Sequence, residues 1–362
     1  IALLEALARE APESPLVHAA LGRAFLQRLV TTRDASWAPL ARSYCERARQ
    51  LAPRRPEVEV TLAQLAIRTG DPGRAVPLLR HALSVQPANS EAMLALAQAW
   101  DAMGDGPAAE EAFRRLLALQ PGYWAAYSKL GGYYFKHGRF RDAAQMFRRV
   151  TELNPDSARG FSNLGAALTA SGDFEGALAA AQRSVALEET GSGFANLGTQ
   201  QFYLGRFADA ARSFERATRL MPASLDVWLN LADCYRWSPG REHEATEAYR
   251  KAIALGRQQL DVNAGDTSVR IHLAMALAKV GELAAAEEEL RRDDAGTAGP
   301  EGLYASALVA SLGGRNGDAM ALLERAVTAG YDRNLLSRDP ELGRLRGERD
   351  FSKLLGEGRR AA

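Results

Sequence analysis

Apolar side chains recur along most of this chain at the spacing of one helix face. Within Tyr127–Pro155, Tyr127, Leu130, Gly131 and Tyr134 stand at i, i+3, i+4 and i+7, and Ala143, Phe147 and Val150 at i, i+4 and i+7. That is the period of two amphipathic helices, with Gly138 between them and Pro155 after the second. The same arrangement returns throughout. With Trp124 taken as position 1 of a unit, position 20 is alanine in nine units: Ala41, Ala75, Ala109, Ala143, Ala177, Ala210, Ala245, Ala286 and Ala319. Their steps are 33 to 35 residues, apart from one of 41. Position 8 is always Gly or Ala (Gly22, Ala63, Ala97, Gly131, Gly165, Gly198, Ala232, Ala274, Ala307). Glycine holds position 15 in seven units and proline position 32 in six.

Each class of position has a physical cause. Glycine at position 15 ends the first helix by taking the left-handed conformation without a Cβ penalty, and proline at position 32 stops the second. Positions 8 and 20 are expected to meet where the two helices cross, since hydrogen or methyl groups let the axes approach while larger residues interlock around them. Gly131, Gly165 and Gly198 with Ala143, Ala177 and Ala210 are the structural positions in this reading. Gly132, at position 9, has no such role.

The pattern resembles the tetratricopeptide repeat, a helix-turn-helix unit of 34 residues, over about residues 1–329. The resemblance implies an all-α fold: a right-handed superhelical α-solenoid of about nine repeats, because one unit cannot bury its apolar face alone. Residues 1–14 fit the second helix of a truncated preceding repeat, 15–266 repeats one to seven, 267–330 repeats eight and nine, and 331–362 a C-terminal helical cap and tail. Repeat one holds about seven extra residues within QRLVTTRDASWAPL, expected as an extended turn. GRQQLDVNAGDT is expected to lengthen the second helix of repeat seven or its exit, and DDAGTAGPEG to connect to repeat nine with higher mobility at 293–301.

Composition narrows the function classes. Forty-five Lys plus Arg against forty-four Asp plus Glu leave a net charge of +1, without the broad positive field of nonspecific nucleic-acid binding. Cys45 and Cys234 lie far apart, which excludes a disulfide framework and a Cys-rich metal site and favours a reducing, cytoplasmic setting. An upstream membrane segment would make a periplasmic setting the alternative. No run of the length of a membrane span occurs. No phosphate loop, nucleophile elbow, zinc motif or EF-hand loop is present, and the five histidines are scattered. EHE at 242–244 reads as a solvated turn. Neither catalysis, cofactor nor metal is expected.

Binding fits the pattern better. In proteins of this repeat family, positions 2, 5, 6, 9, 12 and 13 line the concave groove. Position 6 reads Lys129, Asn163, Asn196, Asn230 and His272 across repeats four to eight. An amide offers both donor and acceptor, so such a ladder suits the backbone of an extended peptide; similar ladders bind peptides in O-linked N-acetylglucosamine transferases. Asparagine is also common at this position without such a role. Beside the ladder stand Phe135, Phe202 and Arg236 at position 12, and Lys136, Tyr203 and Trp237 at position 13, residue types suited to a hot spot unless the rings pack on the next repeat. The residues of the clamp that holds chaperone C-termini are not supplied by any three consecutive units.

Three stretches, WAAYSKLGGYYFKHGRFRDAAQMFRRV, DVWLNLADCYRWSPG and AVTAGYDRNLLSRDPELGRLRGERDF, are similar to the C-terminal repeat regions of bacterial multidomain signalling proteins, especially serine/threonine kinases. That resemblance implies a non-catalytic scaffold for a protein or peptide partner, or alternatively a regulatory or substrate-docking arm of an attached kinase domain. No kinase motif lies in the chain itself. A helical-repeat nucleic-acid binder is the third reading, disfavoured by the balanced charge.

Overall fold

The turn glycines adopt the conformation their position requires. In the computed structural model, Gly70, Gly104, Gly138, Gly172, Gly205, Gly281 and Gly314 all have φ between +72° and +91°, where a Cβ is penalised. The structure describes residues 1–53, 55–292 and 299–356, apart from the side chain of Arg349. Every regular element among them is helical. Residues 293–298, where higher mobility was expected, lie outside the described residues; 299–301 lead into the helix Pro300–Leu312.

Two compact units can be told apart, Ile1–His137 and Gly138–Ala362. In the first, helix Ala2–Glu10 precedes the pairs Pro15–Thr32 with Trp37–Leu51, Pro56–Arg68 with Pro72–Val85, and Ser90–Ala102 with Gly106–Leu119; Trp124–Lys136 closes it. The second opens on Phe140–Leu153 and continues with Ala158–Ala170 and Phe174–Leu187, Gly191–Tyr203 and Phe207–Leu220, Leu225–Arg236 and Glu242–Val262, Thr267–Lys279 and Leu283–Arg291, and Pro300–Leu312 and Asn316–Thr328. In each unit the pairs stack in chain order, an α-solenoid of helical hairpins. Polar side chains start many of the helices: Asp173 accepts from the backbone N–H of Gly176 at 2.9 Å and Ser157 from that of Gly160 at 3.0 Å, which satisfies amides the helix leaves open.

The small residues meet at the crossings. All nine alanines at position 20 are at most 4% exposed. A Cβ placed on Gly165 would lie 3.5 Å from the Ala177 carbonyl oxygen, and one on Gly198 only 2.7 Å from the Phe214 ring. Close approach of backbone to backbone, and of backbone to the large residue one turn after position 20, is therefore what these positions allow. Gly132 is exposed and faces open space.

Two lengthened segments are now located. The extra residues of repeat one extend the first helix to Thr32, and the turn before Trp37 is short, which corrects the expected extended turn. Nothing stops the helix earlier, because position 15 lacks its glycine; Arg33 takes the left-handed conformation at φ 56° instead. Trp37 and Tyr44 stack on Phe25, at 5.9 and 5.6 Å. After Leu255 the helix itself runs on to Val262.

Beyond Thr328 the repeat gives way to a helix of six residues, Arg333–Arg338, a 3-10 turn, Pro340–Leu345, and the helix Arg349–Leu355. Leu336, Leu342 and Leu345 are fully buried and Phe351 nearly so, in one cluster with Ala307, Ala319 and Leu323 of repeat nine. This end therefore covers repeat nine, and it also reaches elsewhere.

Candidate functional site

Residues 331–345 lie against the second unit and touch repeats five, seven, eight and nine. Asn334 donates from Nδ2 to the Ala170 carbonyl at 3.5 Å, in the last turn of the first helix of repeat five. Its side chain sits where a Cβ on Gly172 would fall, 3.2 Å away. Arg338 lies over the Phe174 ring at 5.4 Å. Tyr331 stacks on Tyr304 of repeat nine, centroids 4.8 Å apart, and the Tyr304 hydroxyl donates to Asp339.

Glu341 is the centre of this contact. Its Oε1 accepts from the Trp237 indole Nε1 at 3.3 Å and pairs with Arg236 Nε at 3.5 Å and Lys279 Nζ at 3.9 Å. Trp237 and Lys279 occupy position 13 of repeats seven and eight and Arg236 position 12, so donors from two successive repeats converge on one carboxylate. Lys279 is also held by Asp233 at 2.6 and 2.7 Å, and the Tyr249 hydroxyl donates to the same Asp233 at 2.5 Å. Arg236 donates to the Lys279 carbonyl at 3.1 Å. Lys279, Asp233, Tyr249 and Glu341 are buried and Arg236 and Trp237 half-buried; in such a place an ion pair is worth its desolvation only if further hydrogen bonds complete it.

Charge states follow from this packing. Burial alone would lower the Lys279 ammonium, but Asp233 and Glu341 outweigh it and hold the group above its ordinary value. Burial pushes the Asp339 carboxyl up to about 6, opposed by its bonds from Tyr304 and from the Glu341 backbone N–H. Burial likewise raises the Tyr203, Tyr304 and Tyr331 hydroxyls. Between residues 331–341 and the inner face remains a cavity of about 190 Å³.

The residues singled out from sequence fall into three groups. Phe202, Tyr203 and Asn230 line that cavity, and Arg236 and Trp237 hold Glu341; the rings are half-buried because residues 331–345 cover them. Phe202 also meets Phe207 at 5.2 Å and Tyr203 meets Phe174 at 5.7 Å, which is packing between neighbouring helices. Asn163 is half-buried, Asn196 is exposed and donates to Ser162 Oγ at 3.1 Å, and His272 pairs with Asp226 at 2.7 Å, a bond that lowers the aspartate. In the first unit, Lys129 and Phe135 are exposed. Lys129 borders a cleft of about 870 Å³ along the inner face, with Arg23, Gln64, Gln98, Asp101 and Lys136.

Sequence reasoning missed Asp233, Lys279, Asp339 and Glu341. Two of them were within reach: Asp233 and Lys279 stand at positions 9 and 13, groove positions by the same numbering, inside otherwise apolar helices. Their partners in the tail follow no period and had no such signal.

Among the described residues, no three His, Cys, Asp or Glu side chains are grouped closely enough to hold a metal ion, and no helix is long and apolar enough to cross a membrane. No curated protein matches the chain. Its fold is similar to that in the Cut9–Hcn1 hetero-tetramer of the APC/C, at 17% identity and a TM-score of 0.50, over 79% of this chain and 52% of that one. It is also similar to pilF of Pseudomonas aeruginosa, at 19% and 0.48 over 58% and 93% of the two chains. A third likeness is to YrrB, described as a TPR protein with an unusual peptide-binding site, at 22% and 0.44 over 49% and 91%. At such identities the likeness is one of fold. Family models described as tetratricopeptide repeat match residues 66–130, residues 128–191 with 196–259, and residues 267–292, together more than half of the chain. With small residues in register at every crossing and a turn glycine between most paired helices, the chain is a member of the tetratricopeptide-repeat family.

Proposed function

We propose that this chain is a non-catalytic interaction scaffold that grips a segment of a partner protein along the inner face of its repeats. One observation carries the reading: groups of repeats five, seven, eight and nine already hold a stretch of chain that is not a repeat, residues 331–345. A surface that satisfies the side chains of one segment has the chemistry to take another. The amides at Asn163, Asn196 and Asn230 add polar groups in the same unit, Asn196 already bonded to Ser162.

Selection of linear peptides from a random displayed library tests this. The wild-type chain should enrich a recurring sequence, and the variant carrying Lys129→Ala, Asn163→Ala, Asn196→Ala and Asn230→Ala, with an unchanged circular dichroism spectrum, should lose it. Equal enrichment by the folded variant removes the groove from the reading. The finer reading, an arm of a serine/threonine kinase, rests on the resemblance of three stretches alone. Kinase motifs encoded upstream in the same reading frame would support it, and a frame without them would remove it.

A further inference from the structure

We propose that residues 331–345 are a resident occupant of the groove that an external partner displaces, and that this partner presents a glutamate followed by an aliphatic residue. The inference rests on the scaffold reading and names the partner's chemistry. Three donors that belong to the repeats, the Trp237 indole N–H, the Arg236 guanidinium and the Lys279 ammonium, surround Glu341 Oε1. Each keeps a structural role without it for the two cations, since Lys279 is paired with Asp233 and Arg236 with the Lys279 carbonyl. The repeats thus form a carboxylate site independently of the residue that fills it. Leu342, next in the chain, is fully buried in the cluster that Leu336, Leu345 and Phe351 form with repeat nine, so the place after the carboxylate takes an aliphatic side chain. Charge complementarity of this kind selects a partner by matching buried donors to one acidic side chain.

The resident segment is tied to the repeats by little regular structure. It is attached by a helix of six residues and a 3-10 turn, without the alanine and glycine crossings that join the repeats. Between it and the repeats lies the cavity of about 190 Å³, lined by the rings of Phe202, Tyr203, Tyr304 and Tyr331 and by the charged Asp233, Lys279, Asp339 and Glu341. An external segment with the same acidic-aliphatic pair and a bulkier residue before it has room there.

The test uses a fluorescein-labelled synthetic peptide of residues 330–347, GYDRNLLSRDPELGRLRG, read by fluorescence polarisation against the full chain. In the Glu341→Lys chain the new ammonium faces Lys279 and Arg236, the tail opens, and the peptide should bind roughly tenfold tighter than to wild type, as expected when a competent state rises from a minor to the major population. Adding Arg236→Ala and Trp237→Ala should abolish binding, as should a Glu-to-Gln peptide. Equal binding by wild type and Glu341→Lys, or none by a Glu341→Lys chain with a native dichroism spectrum, overturns the proposal. Hydrogen exchange on the wild-type chain serves if that variant fails to fold. Amides of 332–345 should exchange faster than those of Pro300–Leu312, and equal protection refutes displacement. A wild-type chain that is a dimer in solution and becomes a monomer with Glu341→Lys assigns the site to the tail of a second copy and also overturns it. If library peptides bind while the tail peptide does not, the scaffold reading survives and this inference alone fails.

Discussion

Position 8 of the repeat offers one substitution with opposite consequences at two places. Gly165 and Gly198 occupy the same position in repeats five and six, both buried in the middle of a first helix. Alanine in a helix interior gains about 1 kcal/mol over glycine from backbone entropy. At Gly165 the added methyl would meet the Ala177 carbonyl oxygen at 3.5 Å and the Ala180 Cβ at 3.7 Å, ordinary contact distances. Gly165→Ala should therefore stabilise the second unit by up to about 1 kcal/mol. At Gly198 the methyl would lie 2.7 Å from two carbons of the Phe214 ring, which is 1% exposed and has nowhere to move. Overpacking of this kind costs about 1 to 3 kcal/mol, so after the helix gain Gly198→Ala should be net destabilising by up to about 2 kcal/mol. Urea titration of the full chain, followed by far-ultraviolet dichroism and compared midpoint to midpoint, reads both signs; arrays of repeats need not unfold in one step, so midpoints are the safer quantity. Adding Phe214→Leu to Gly198→Ala should recover part of the loss, because the smaller side chain makes room. A Gly198→Ala chain as stable as Gly165→Ala would refute the claim that ring-to-backbone contact, and not helix propensity, sets the residue at this position.

Three further outcomes follow from the buried charges and thiols. Lys279→Met should lower the melting temperature sharply, by the equivalent of about 3 to 5 kcal/mol, because Asp233 and Glu341 lose their buried cation; adding Asp233→Asn should restore part of it, and an unchanged melt would show the pair to be solvated. For Asp339 the carboxyl is raised in the fold, from 3.8 to about 6, so the folded chain holds its proton more tightly than the unfolded one. Its contribution is without penalty below pH about 4, turns unfavourable as pH rises toward 6 and levels off above, at roughly 3 kcal/mol. Comparing wild type with Asp339→Asn over that range isolates it, and parallel curves from pH 4 to 7 would contradict it. Burial pushes the Cys45 thiol up to about 12 and the Cys234 thiol well above its ordinary value, so neither should react with a thiol reagent at pH 8 until urea is added; rapid labelling of the native chain would contradict their placement.

The repeat was legible in the sequence because its causes are local and recur. An alanine at the crossing imposes the same demand in all nine units, a glycine that must take positive φ in seven and a proline that ends a helix in six, and units so in phase leave one interpretation. The groove positions are what the resemblance to the repeat family implies, and the numbering carries them onto Asn230, Arg236 and Trp237. Where a unit lacked its marker, the reading slipped: without glycine at position 15, repeat one lengthened its first helix where a long turn was expected.

What covers that groove was decided only by tertiary structure. Glu341 meets Trp237 across 104 residues and Asn334 meets Ala170 across 164, pairings that no period announces. They form because the stacked helices bring donors from separate repeats to one face, and a tail freed from the repeat settles where its carboxylates and leucines find buried partners. Local rules name the face of each helix. The register between distant segments is a property of the assembled stack, and it is there that Glu341, which no period marks in the sequence, becomes the centre of the site.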